Sequence, residues 1–302
     1  MLPVSRCDIG TLVRSGTWGY RSAMDQLVST RWLEAGIEAK DLVVLDCTVR
    51  LESTPDGYKS ISGRADFEAA HIPGARFADL EGALSDLTSP HRFAVPEPQV
   101  FAAAMEALGV GDDSRVVLYD DNQSMWASRV WWMLRWIGFD RAALLDGGMR
   151  AWRDEGRPIT AEEGDVVRSR LTVNVRSSLI ADKSEVMAAI GDGSTCIIDA
   201  LPEAMFRGEA TAYRRPGHIP GATNTAASSL IDTTSGRFLS DAELESKFGS
   251  DRSSRTITYC GGGIAASADA FVMTRLGFED VAVYTASLQE WAADPDTPLT
   301  TD

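Results

Sequence analysis

The pentapeptide His71–Ile–Pro–Gly–Ala75 returns unchanged as His218–Ile–Pro–Gly–Ala222, 147 residues downstream. Other segments recur around it in the same order. Val43–Val–Leu–Asp46 is answered by Cys196–Ile–Ile–Asp199, and Arg115–Val–Val–Leu–Tyr119 by Arg255–Thr–Ile–Thr–Tyr259. Ile137–Gly–Phe139 is answered by Leu276–Gly–Phe278, and Trp152 by Trp291. Matching order over about 120 residues, with slightly drifting spacing, is the mark of a duplicated domain. The constraint is strong: both halves must adopt one fold, and 302 residues suffice for two domains with a core each.

Within each copy, short apolar runs alternate with helical segments. Leu42–Leu45, Val116–Tyr119 and Ala142–Leu145 are too short for helices and rich in β-branched or apolar residues, so they read as strands buried on both faces. Residues 52–64 read as a polar loop. Pro96–Leu108 reads as a helix with Phe101, Met105 and Leu108 on one face. Ser124–Ile137 reads as a largely buried helix carrying Trp126, Val130, Trp131, Leu134 and Ile137. The expected fold is α/β, with a mainly parallel sheet flanked by helices in each repeat. The boundaries are residues 24–153 for the first domain, 154–177 for a linker that wraps it, and 178–302 for the second. The linker is marked by Gly156, Pro158 and Gly164 among charges. Residues 1–23 carry Arg6, Arg14 and Arg21 against a lone Asp8 and stand outside the core as an extension. Two readings of them stand: a transit peptide, or a natural start at Met24.

The copies differ most where Thr256–Tyr259 ends in Cys260. Gly261, Gly262 and Gly263 follow, and an alanine-rich segment then continues to Leu276. This reads as strand, tight loop and helix, with a thiol where the strand stops. Unpartnered N–H groups in such a loop, with the first turn of the helix, favour an anion. A free thiol of pKa about 8.5 is only a few per cent thiolate at neutral pH, so a nucleophilic cysteine needs that help. The opposing reading is a buried cysteine beside a glycine turn. The first copy has Asp120 opposite Cys260 and Asp121–Asn–Gln123 opposite the glycines. A carboxylate does not attack as a thiolate does, so the first copy reads as scaffold.

Composition excludes other classes. A net charge of −15 argues against nucleic acid or an anionic membrane held by a general basic field. No apolar run approaches the ~20 residues of a membrane span. Four cysteines without a Cys-x-x-Cys pair point to reduced thiols in a cytoplasm, and Cys47 and Cys196, at strand ends, read as core thiols. Three histidines without ligand spacing argue against a metal site. His71 and His218 sit in the repeated turn of both copies, including the one without the thiol, and read as turn-stabilising.

These residues together resemble the rhodanese superfamily, and most closely its two-domain sulfurtransferases, which use thiosulfate or 3-mercaptopyruvate. The resemblance rests on the pentapeptide in both halves, on Cys260 in the second half alone, and on Asp146–Gly–Gly–Met–Arg–Ala–Trp152 closing the first. It implies tandem rhodanese-like domains and a Cys260 persulfide, with no cofactor. The implied partners are a small anionic sulfur donor and an acceptor such as cyanide, a thiol or a thioredoxin-like protein. It also implies substrate contacts from Gly261, Gly262, Gly263, Ile264 and Ala265, and from Arg207 in Phe206–Arg–Gly208. Arg215, with Arg214, is the candidate for a second substrate arginine. The loop Cys260–Gly–Gly–Gly–Ile–Ala265 has no basic residue and so is nearer the mercaptopyruvate type. It departs from that type in Gly262 and Ala265, where serine and threonine are usual, and Leu288 stands where a tryptophan is usual.

Of two alternatives, the first largely fails. A Cys-based phosphatase needs an arginine six residues after the cysteine, where this chain has Ala266. A non-catalytic sulfur-binding or regulatory module is the other; the retained Cys260 argues against it, and the altered loop keeps it open.

Overall fold

The computed structural model describes residues 24–54 and 57–301; residues 1–23, and both readings of them, lie outside the described residues. Each repeat is built on a five-stranded, wholly parallel sheet. In the first, Leu27–Val28, Ala142–Leu145, Arg115–Tyr119, Leu42–Asp46 and Arg76–Phe77 lie side by side in that order. In the second the order is Ile180–Ala181, Val281–Tyr284, Thr256–Tyr259, Cys196–Asp199 and Thr223–Asn224. The central strands have helices on both faces, which is why Val116, Val117 and Leu118, like Ile257 and Tyr259, are fully buried. Residues read as a polar loop form instead an antiparallel hairpin of Val49–Thr54 and Gly57–Ser62. Its polar composition leaves little apolar alternation to mark it, and the ladder itself satisfies the backbone.

The repeated pentapeptide is an anchor in both copies. His71 stacks on Phe67 at 3.9 Å and His218 on Phe206 at 3.5 Å. The Nδ1 of each lies against the carbonyl of its phenylalanine, at 2.6 and 2.7 Å, and the Nε2 of His71 lies 3.1 Å from the Glu162 carbonyl. The next residue, Ile72 or Ile219, donates its N–H to the hydroxyl of Tyr119 or Tyr259. The histidine backbones pair with Thr160 and Thr300, fastening the chain that leaves each domain. Residues 155–176 contain no helix or strand, yet they strap the first domain. Asp112 donates its N–H to the Arg170 carbonyl at 2.9 Å, and Asn174 to that of Ile137 at 2.7 Å.

The domains meet through equivalent helices. Met125–Trp136 packs along Ile264–Arg275, with Trp131 edge-on to Phe271 at 4.9 Å, and both helices belong to one continuous apolar core. Polar contacts add register: Phe238 N–H to Asp146 Oδ1 at 3.0 Å, and Arg150 to the carbonyls of Thr233 and Thr234. The first domain thereby becomes a wall of whatever site the second carries. Cys47 is buried as expected, but Cys196 opens its strand at the sheet's rim and is exposed. Its neighbours Ile197 and Ile198, not the thiol, enter the core.

Candidate active site

Cys260 stands at the carboxyl end of the central strand of the second sheet, the edge where open α/β sheets place ligands. It is only 2% exposed. Its N–H donates to Ser287 Oγ at 3.1 Å, and that hydroxyl donates to the Tyr284 carbonyl at 2.6 Å. Leu288 and Gln289 donate their N–H groups to the carbonyls of Cys260 and Gly261, each at 3.0 Å. The loop is thus held to the segment following the neighbouring strand. Gly263 then donates its N–H to Cys260 Sγ at 3.1 Å. The 12-residue helix Ile264–Arg275 begins at the next residue, so the sulfur lies at the positive end of a helix.

Two of the three glycines have distinct physical reasons. Gly263 has φ +78°, and a Cβ on it would stand 2.8 Å from the Thr285 carbonyl and 3.0 Å from Arg129 Nη1. A Cβ on Gly261 would stand 1.6 Å from the Tyr213 hydroxyl, which therefore lies directly on the loop. Ile264 and Ala265 form the first turn of the helix and lean on the shared core.

The first repeat shows what such a loop does with an anion. Asp120 occupies the position of Cys260, and its carboxylate accepts the N–H groups of Asn122, Ser124 and Ala127 at 2.7, 2.9 and 2.9 Å. The helix there starts at Met125, five residues after Asp120, against four between Cys260 and Ile264. One repeat has filled its anion cradle with its own side chain. The other leaves the cradle to a sulfur atom.

The structure does not bring the expected arginines to this loop. Arg207 pairs with Glu203 at 2.5 Å and lines a depression of about 760 Å³ with Asn224, Thr225 and Lys247, a lining that includes none of residues 260–265. Arg215 donates to the carbonyls of Trp291, Ala292, Asp294 and Thr297 and to the Thr297 hydroxyl. It holds the C-terminal segment, and these bonds occupy the fork expected to grip a substrate. Arg214 is exposed and makes no hydrogen bond or ion pair among the described residues.

Three groups at the loop escape sequence reasoning. Tyr213 is followed by two arginines that draw attention away from it. Gln289 exchanges hydrogen bonds with the backbone of Arg92 in the first domain, at 2.9 and 3.0 Å, and so closes the loop from that side. Arg129 comes from the interdomain helix of the first repeat and is fully buried. A charge among the tryptophans of a buried helix was the available signal for it.

Burial raises the pKa of two carboxyls in this domain. Asp199, paired in register with Tyr259, is fully buried with one oxygen unpartnered, and burial pushes its pKa up to about 6. Burial pushes Asp269 up as well. The folded state keeps these protons above pH 4 while the unfolded chain loses them. Stability is therefore expected to fall as pH rises from about 4 through 6, by about 3 kcal/mol from Asp199 alone. Urea unfolding at the two ends of that range measures it, and Asp199→Asn should reduce the change, leaving the part from Asp120, which burial also pushes up to about 6.

Comparison with known proteins agrees with this geometry. The family described as Rhodanese-like domain matches twice, over residues 29–155 and 182–294. The chain belongs to the rhodanese family. It is 35% identical to a probable 3-mercaptopyruvate sulfurtransferase of Pseudomonas aeruginosa, over 91% of this chain and 98% of the relative. It is 32% identical to a thiosulfate sulfurtransferase of Gallus gallus, over 88% and 92%. The crystal structure of SseA from Escherichia coli, described as a 3-mercaptopyruvate sulfotransferase of rhodanese fold, superposes with a TM-score of 0.77 at 29% identity. That superposition covers 87% of this chain and 99% of SseA.

Proposed function

We propose that this sulfurtransferase carries sulfur as a persulfide on Cys260, taken from 3-mercaptopyruvate or thiosulfate and given to a thiol or cyanide. The observation that carries the reading is the Gly263 N–H on Cys260 Sγ at the start of a 12-residue helix. In the first half-reaction the Cys260 thiolate attacks the donor's terminal sulfur. An S–S bond forms, and the donor's C–S or S–S bond breaks. The bonding pair leaves as pyruvate enolate, which takes up the thiol proton, or as sulfite. In the second, the acceptor attacks the outer sulfur, and the electron pair of the cleaved S–S bond returns to Cys260. Backbone donors that stabilise the thiolate stabilise the persulfide anion too, so the same preorganised loop serves both half-reactions.

The bare loop favours mercaptopyruvate over a dianionic inorganic donor. The Tyr213 hydroxyl lies on Gly261, beside a loop whose residues 261–265 carry no hydroxyl of their own. A thioredoxin-like dithiol fits the acceptor role chemically. No helix among the described residues is long and apolar enough to cross a membrane.

Incubation with each donor, followed by intact-mass measurement, tests the reading. Wild-type protein is expected to gain the mass of one sulfur atom and lose it on adding cyanide. Cys260→Ser is expected to gain none. Absence of loading from both donors on wild type, or equal loading on the variant, would overturn the assignment.

A further inference from the structure

Arg129 is the fifth residue of Met125–Trp136 and has no solvent exposure. One nitrogen, Nη2, donates to the Phe93 carbonyl at 2.8 Å. Nε and Nη1 are buried and have no partner among the described residues. Nη1 lies against Gly263, 3.0 Å from where a Cβ would stand, and Gly263 is the residue whose N–H meets Cys260 Sγ. A buried guanidinium with donors unmatched is costly unless an anion faces it. Burial lowers its pKa to about 10, with the charge of Cys260 opposing that fall, so it remains a cation at neutral pH. The catalytic loop itself has no basic side chain.

We propose that Arg129, on the repeat that lost its nucleophile, is the counter-cation of the Cys260 site, its free Nε and Nη1 stabilising the sulfur anion through the Gly263 side of the loop. This rests on Cys260 as the reactive thiol and deepens that reading by giving the first domain an electrostatic part in it. Docking of the interdomain helices then supplies the charge that the loop lacks. It also suits the site to anionic sulfur, because the guanidinium has no solvent to screen it and no carboxylate paired with it among the described residues. Arg129 is a positioning residue: it acts on the sulfur without itself being transferred to or bonded.

The test is the pH profile of iodoacetamide alkylation, read at the Cys260 peptide by mass spectrometry on full-length wild type, Arg129→Gln and Arg129→Lys. The exposed thiol of Cys196 is an internal control in the same samples. Glutamine keeps a donor for the Phe93 carbonyl and removes the charge; lysine keeps the charge. An opposite charge a few ångströms away is expected to be worth about one pH unit or more in the midpoint. Arg129→Gln should therefore move the Cys260 midpoint up by that much and slow alkylation about tenfold below it, while Arg129→Lys and the Cys196 profile stay near wild type. Equal midpoints in all three proteins, or equal shifts in both variants, would overturn the proposal. Should Arg129→Gln fail to fold, wild type still decides: a Cys260 midpoint no lower than that of Cys196 overturns it. Alkylation needs no sulfur donor, so a shifted midpoint in protein that never forms a persulfide would sink the transferase reading and leave this one standing.

Discussion

Gly263→Ala is expected to lower turnover with either donor by about a hundredfold or more while the protein stays folded. The residue has φ +78°, and its missing side chain would meet the Thr285 carbonyl at 2.8 Å. The left-handed conformation costs an L-residue about 1–2 kcal/mol, which a two-domain protein tolerates. The carbonyl cannot swing away as a side-chain tip would, so the backbone must turn, and with it the N–H that meets Cys260 Sγ. Losing one preorganised donor to a developing anion typically costs about 10²–10³ in rate. Steady-state rates with both donors, beside a circular-dichroism melt, check this. Wild-type turnover in the variant would show that the Gly263 N–H is dispensable.

The second large effect is expected from Arg215→Ala, and on stability. Its side chain accounts for five hydrogen bonds, four of them to carbonyls of the last helix and the tail behind it. Removing it strands those acceptors, and a loss of about 3 kcal/mol is expected, since bonds to a charged donor are worth about 1.5–3 kcal/mol each and only some acceptors regain water. Urea unfolding should show the loss, with turnover per folded molecule little changed. A variant of ordinary stability with a steep fall in kcat/KM would return Arg215 to the substrate role that sequence reasoning assigned it.

Arginines divide what could be read in advance from what could not. Arg207 was singled out by the resemblance of Phe206–Arg–Gly208 to the family, and Arg215 by its place ahead of the second pentapeptide, both of them statements about chain position. Where the guanidinium of a long, flexible side chain ends up depends on which carbonyls and carboxylates the fold leaves within its reach. For Arg215 these are the acceptors at residues 291–297, and for Arg207 it is Glu203 one helical turn away. Arg129 was passed over because a helix rich in tryptophan reads as core, although an arginine inside core is an anomaly that asks for a partner. Tyr213 had no signal at all; only the curl of its loop lays the phenol on Gly261.

Sequence alone determined the duplication, the two parallel sheets and their alternating helices, because strand runs and repeated turns are local patterns that survive in order along the chain. It also singled out Cys260, since a thiol between a β-branched run and three glycines can be recognised without knowing what surrounds it. The pairing of Val49–Thr54 with Gly57–Ser62 and the exposure of Cys196 needed the structure, being matters of pairing and of sheet edges. The surroundings of the sulfur were decided only by tertiary structure. They come from the packing of two equivalent helices, one from each repeat, and no periodicity within either helix states which residue of one will face the loop of the other. That contact puts Arg129 of the repeat without a nucleophile beside the loop of the repeat that kept one.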